Sequence, residues 1–216
     1  MILYEPRKTR PLSDFYPELR FEFPSVPEQL FQYYLVRTAR DMARNAALIR
    51  RTAIITPQHC VTRYRLIAPE GETILSVLDI FREYDCCSSR SSRISRTHVQ
   101  PDGFCSCTKD IAWYDDLENV LHIDSSYCSG KYKVSLVVLL DENVCELPEE
   151  FYTLYLPTLI MGTKASILMI TGRPWTNMRV GGELYNEYKR LLTGHAFSVM
   201  RHKQRGAVKM QFGRAL

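Results

Sequence analysis

Apolar residues change their spacing twice along this 216-residue chain, and that change limits the fold more than any other feature. Phe31, Leu35, Thr38, Met42, Asn45 and Ile49 recur at three- and four-residue steps, with Leu30, Tyr34 and Ala46 widening the stripe. That spacing gives a helix one buried face. Ser25-Val-Pro-Glu28 fits a capping box, in which hydroxyl and carboxylate each satisfy a backbone N–H, so the helix is expected from Ser25 to about Arg50. Between 52 and 145 the period shortens. Ile54-Ile55, Thr62 to Ile67, Ile74 to Phe81, Ile111 to Tyr114, Val120 to Ile123 and Tyr132 to Leu140 read as strands. In the last, Tyr132, Val134, Leu136, Val138 and Leu140 share one face, while Lys131, Lys133 and Ser135 share the other. Pro69-Glu-Gly71 reads as a turn, and 115–119 as a hairpin connection. No helix-length segment separates these strands, so they should pair mostly antiparallel.

Helical spacing returns after Cys145. Pro148, Glu149 and Glu150 suit a helix start, and Phe151, Leu154, Tyr155, Thr158, Gly162, Ala165 and Met169 form a packed face. Pro157 should kink or break it, and small Gly162 and Ala165 permit close approach by another helix. Thr171 to Trp175 is a turn, and Thr176 or Asn177 caps a last helix carrying Val180, Leu184, Tyr188, Leu191 and Phe197. Before Ser25, Pro6, Pro11, Pro17 and Pro24 argue against a continuous helix or central strand. That segment still carries Phe15, Tyr16, Phe21 and Phe23, so it is expected to lie extended on this domain or a neighbour. The expected fold class is α+β: a small bundle of long helices, one N-terminal and two C-terminal, with a mostly antiparallel β-rich insertion and extended termini. In ranges, that is an extended segment at 1–24, a bundle from 25–51 and 146–205, an insertion at 52–145, and an arm at 206–216.

The charges are uneven. The net charge is only +4. Past Glu187 there is no acidic residue, while Lys189, Arg190, Arg201, Lys203, Arg205, Lys209 and Arg214 follow. Such a tail suits a nucleic-acid surface, an acidic partner or simply a solvated face. Ser88 to Gly103, with Arg90, Arg93 and Arg96, reads as a long polar loop or hairpin tip. No apolar run reaches membrane-spanning length, since Leu154 to Ile170 is broken by Pro157, Gly162 and Lys164. Met1 to Arg10 leads into no export-signal-like segment.

Seven cysteines, an odd count, do not suggest an oxidised scaffold. Cys86/Cys87 with Cys105/Cys107, joined by His98 or His122, would make a zinc site only at unusual spacing; reduced thiols are the simpler reading. No nucleotide loop, GxSxG or HExxH occurs. His122 and Asp124 share a strand face and could orient an imidazole, or form a structural pair. Neither enzyme activity nor a cofactor is expected. Thirteen tyrosines, among them Tyr33/Tyr34 and Tyr185/Tyr188, suit either protein contacts or the core.

Three stretches carry a family resemblance: PEQLFQYYLVRTARDMARNAALIRR, LPEEFYTLYLPTLIMGTKASILMI and GRPWTNMRVGGELYNEYKRLLTGHAFSVMRH. Together with the β-rich insertion, they resemble the head-to-tail adaptor (connector) proteins of short-tailed bacteriophages, over roughly residues 24 to 205. That family is related to gatekeeper and portal-completion proteins of other tailed phages. The resemblance implies a virion protein made in the host cytoplasm and placed in the neck. It would form a ring of about twelve copies between the portal and the tail hub or nozzle, with genomic DNA passing through unread. It makes Arg173, Pro174 and Trp175 a structural turn. Arg201, Lys203, Arg205, Lys209 and Arg214 become a portal-docking arm. The aromatic lead, Phe15, Tyr16, Phe21 and Phe23, is a candidate for contacts between subunits. The Cys-rich 86–107 stretch departs from the family pattern. A head-completion protein of another tail type and a basic nucleic-acid-binding module are the alternatives.

Overall fold

The computed structural model describes residues 2–58, 61–83, 91–93, 95–97, 111–115, 117–124 and 130–205. The elements are, in order, β1 (Ile2–Tyr4), β2 (Thr9–Pro11), a 3-10 turn (Leu12–Phe15), α1 (Tyr16–Glu22), α2 (Glu28–Ala46), β3 (Arg50–Ile55), β4 (Arg63–Arg65) and β5 (Glu72–Glu83). There follow β6 (Ser91–Arg93), β7 (Ser95–Thr97), β8 (Ile111–Asp115), β9 (Val120–Asp124), β10 (Lys131–Leu140), β11 (Glu146–Pro148), α3 (Glu149–Thr153), α4 (Leu156–Leu168) and α5 (Met178–Arg205). The chain divides into two compact units, each made of two stretches: Met1–Thr9 with Ile49–Pro148, and Arg10–Leu48 with Glu149–Leu216.

In the first unit a sheet of order β1-β3-β10-β5-β6 is antiparallel throughout. Strand β10 is its centre. Tyr132, Val134, Leu136, Val138 and Leu140 are buried, as their alternation requires, and Val137 and Leu139 are buried too. The register against β5 shifts twice, after Ser135 and after Val137, leaving Leu78 and Leu75 of β5 without opposite partners. Two bulges therefore fit twelve residues of β5 to ten of β10. Gly71, at φ 76°, closes the turn into β5 as Glu72 N–H donates to the Pro69 carbonyl. The Glu72 carboxylate takes a two-pronged bond from Arg51, at 2.7 to 3.1 Å, with Arg7 3.5 Å away. A second sheet, β4-β9-β8-β7, contains one parallel pair, β7 with β8. Its 115–119 turn is held by the Asp115 carboxylate, which accepts from the Leu117 and Glu118 amides. Strands β2 and β11 form a two-stranded ribbon.

In the second unit α4 is buried on most sides, through Thr158, Leu159, Ile160, Gly162, Thr163, Ala165 and Ile167. It packs against both α2 and α5. Glycine makes both approaches possible. A Cβ on Gly162 would lie 2.7 Å from Thr38 Cγ2 and 2.8 Å from Tyr188 Cε2. A Cβ on Gly181 would lie 2.8 Å from Met169 Cγ.

The expected fold class is corrected. The chain is not a simple bundle of long helices with extended ends. It is a mixed α and β fold whose described residues form five α-helices and three small open sheets. The prolines of the lead segment stand at element edges and break nothing: Pro11 ends β2, Pro17 lies in the first turn of α1, and Pro24 follows it. The segment is therefore folded, with Leu12, Phe15, Leu19, Phe23 and Val26 buried at three- and four-residue steps. Helix α2 starts at Glu28, three residues later than expected, with Pro27 as N-cap and no side-chain cap bond. A residue before proline avoids the helical region, so Val26 could not serve in a first turn. The helix also ends early, because Ala47 turns left-handed and Arg50–Ile55 joins the sheet. Pro157 divides α3 from α4.

Candidate functional site

The candidate subunit-contact aromatics separate sharply. Phe15 is buried and meets the Tyr152 ring edge-on at 5.7 Å. Tyr16 is half-buried against Phe31, centroid to centroid 5.9 Å, and Phe23 is buried. Phe21 alone stands out, 89% exposed on α1. The GRPW turn is held by Thr176. Its hydroxyl accepts from the Arg173 N–H at 3.0 Å and donates to the Ile170 carbonyl. Asn177 caps α5, its side-chain oxygen accepting from Val180 N–H at 3.2 Å. Arg173 and Pro174 are exposed and Trp175 is half-buried. The Trp175 indole N–H is buried without an acceptor among the described residues. Arg201, Lys203 and Arg205 fall in the last turns of α5. Lys209 and Arg214 lie outside the described residues.

A groove of about 570 Å³ is lined by residues of α2, α4 and α5 and of the turn after α4. Helical spacing builds its walls. Tyr34, Arg37, Thr38 and Asp41 are successive positions on one face of α2, and Tyr185 and Tyr188 are neighbours on α5. Gly162 and Ser166 of α4, with Met169 at its C-cap, complete the lining. Asp41 is its electrostatic centre: the Tyr188 hydroxyl donates to it at 2.6 Å and the Lys189 ammonium at 3.0 Å. Burial, then the bond to Asp41, drives the Tyr188 phenol above its ordinary pKa and keeps it protonated. For Lys189 burial pulls the pKa down, but the bond and charge of Asp41 outweigh it and the net shift is upward. The same ammonium lies 5.3 Å from the Tyr185 ring centroid and 5.4 Å from that of Tyr188. Asp41 is thus neutralised within the groove. Arg37 is exposed and has no ion-pair partner among the described residues. The groove can therefore hold an aromatic side chain against three tyrosines and an adjoining carboxylate on Arg37. Tyr34, Tyr185 and Tyr188 are legible as interface-type residues. Asp41 and Arg37 carried no separate signal beyond their helical spacing with Tyr34.

Of the histidines, His195 is half-buried on α5, its Nε2 3.0 Å from the Thr158 hydroxyl and its ring 5.1 Å from that of Tyr155. Burial lowers its pKa. That of His122 is lowered by burial and then by Arg63. The side chain of Asp124, the partner suggested for His122, is outside the described residues, as are Cys86, Cys87, His98, Cys105 and Cys107. Among the described residues no group of three His, Cys, Asp or Glu side chains is placed to hold a metal ion. No described helix is long and apolar enough to cross a membrane. No protein-family model matches the chain, and no curated protein matches it.

Proposed function

We propose that this chain is a structural adaptor of the head-to-tail kind. It forms a ring in the virion neck between the portal and the tail hub or nozzle, and genomic DNA passes through without base-specific contact. The observation that supports this reading is the meeting of the three resembling stretches. They supply α2, α4 and α5, which pack in one compact unit with close approaches at Gly162 and Gly181. A scaffold of this kind works by contact, and its chemistry is that of interfaces: aromatic walls, an arginine in the groove without an ion pair among the described residues, and an exposed aromatic tip. The basic end of α5, together with Lys209 and Arg214 further along the sequence, is the arm that meets the portal. The test is mixing with portal particles, followed by sedimentation and negative-stain imaging. Co-sedimentation and an added ring of density on the portal are expected. No co-sedimentation, with tight salt-dependent DNA binding by the monomer instead, would sink the adaptor reading in favour of a nucleic-acid module.

A further inference from the structure

The helical unit carries an exposed aromatic on α1 and a tyrosine-walled groove lined by α2, α4 and α5. Phe21 is 89% exposed at the end of α1. Such exposure of a large aromatic costs solvation energy that burial in an apolar pocket recovers. The tip is held firmly: Leu19 is fully buried, Arg20 pairs with Glu28, and Glu22 pairs with Lys164 of α4. Lys164 is two residues from Gly162 and two from Ser166, about 200° around a helix from each. Gly162 and Ser166 line the groove. So α1 is fastened to the side of α4 opposite the groove. Glu18, one turn before Phe21, is exposed and has no partner among the described residues. In the groove the charge without an ion pair among the described residues is the opposite one, Arg37.

We propose that Phe21 of one copy of this chain inserts between Tyr34, Tyr185 and Tyr188 of a second copy, with Glu18 of the first meeting Arg37 of the second. Knob and hole are different patches on opposite flanks of one helix, so the contact is heterologous: each copy gives Phe21 to one neighbour and receives it from another. The contact runs head to tail, and a self-complementary pair is not formed. A buried aromatic with a rim charge is an anchor of the kind that dominates interface energies. The inference concerns this contact alone. Whether such a series closes into a ring on a portal belongs to the adaptor reading, and the two fail separately.

The full chain is tested without portal, with the photoreactive residue benzoylphenylalanine in place of Phe21. Irradiation should give covalent dimers and higher adducts, with position 21 joined to peptides holding Tyr34–Asp41 or Tyr185–Tyr188. No adduct up to the solubility limit, or adducts joining position 21 to another α1, would overturn the proposal. Sedimentation equilibrium gives the independent measure. Phe21→Ala and Arg37→Glu, both at exposed positions, should each weaken self-association by roughly tenfold or more. Glu18→Arg combined with Arg37→Glu should restore much of it. Unchanged association in F21A, or no recovery in the reversed pair while each variant keeps the wild-type unfolding midpoint, would also overturn it. Cross-linking as described alongside failed portal binding keeps this contact and removes the adaptor reading; portal binding without cross-linking does the reverse.

Discussion

Gly162 sets the distance between three helices, because its missing side chain is the space that Thr38 and Tyr188 occupy. A methyl there would meet both at under 3 Å, so Gly162→Ala should destabilise by about 1–3 kcal/mol, read as a lower urea midpoint. Gly194 has open space around its Cβ position in the same helix as Tyr188, and Gly194→Ala should stabilise by up to about 1 kcal/mol. The sequence marks Gly162, beside Ala165, as a place where another helix can approach; that Thr38 and Tyr188 fill the space depends on what packs there. Asp41 and Tyr188 are coupled in the same way. Tyr188→Phe should cost about 1 kcal/mol, and Asp41→Ala more, since the hydroxyl and Lys189 then both lose their partner. A double-mutant cycle should return a coupling of about 1 kcal/mol. His195 adds a pH dependence. Burial holds its folded pKa below 6.5, so in mildly acid solution the unfolded chain binds the proton first. Its contribution is complete above about pH 6.5 and is lost as pH falls through the folded pKa. The wild-type urea midpoint should therefore fall more steeply from pH 7 to 5 than that of His195→Gln; parallel curves would show that the buried imidazole carries no linkage.

At the level of elements, helix ends are decided by one or two backbone angles. Helix α2 closes on Ala47 at φ 51°, a left-handed position that suits glycine. Ala47→Gly removes the Cβ clash but loosens the unfolded chain, for a net gain of roughly 0.5 kcal/mol. At the other end of the unit, Asn177→Ala removes the cap of α5 and should cost about 1 kcal/mol, with faster amide exchange confined to the first turn. These ends explain what could be read from the chain. Strands β5, β8, β9 and β10 fall where β-branched and aromatic runs place them, since side-chain alternation is a local property. The four prolines of the lead segment suggest an extended chain, yet Leu12, Phe15, Leu19, Phe23 and Val26 are spaced for burial, and that spacing decides its fold. The capping box at Ser25 failed for an equally local reason, the proline at 27. The groove was only half legible. Its tyrosines stood out by type, but their meeting with Asp41 joins α2 to α5 across 147 positions, and no pattern along the chain encodes that distance.

For the whole molecule, charge is distributed by position along the chain more than by total. Seven cations and no acidic residue follow Glu187. Two of the seven are used internally: Lys189 pairs with Asp41, and Arg190 with Glu187. The other five, Arg201, Lys203, Arg205, Lys209 and Arg214, have no acidic neighbour in their own segment with which to pair at helical spacing. A run of one sign repels itself and gains most from a partner of the opposite sign. On the adaptor reading this run serves a partner, so deleting residues 206–216 should leave the unfolding midpoint within about 0.5 kcal/mol of the full chain. If the proposed adaptor role holds, the same deletion should weaken portal binding by roughly tenfold, about 1.4 kcal/mol, and flatten its dependence on salt. Charge reversal at Lys209 and Arg214 together should act in the same direction without shortening the chain, because rim charges act mainly through long-range attraction. Sedimentation with portal particles across a salt series measures both. Equal binding by the truncated and full chains at every salt concentration would remove the basic arm from the contact and leave the helical unit as the place to look for it.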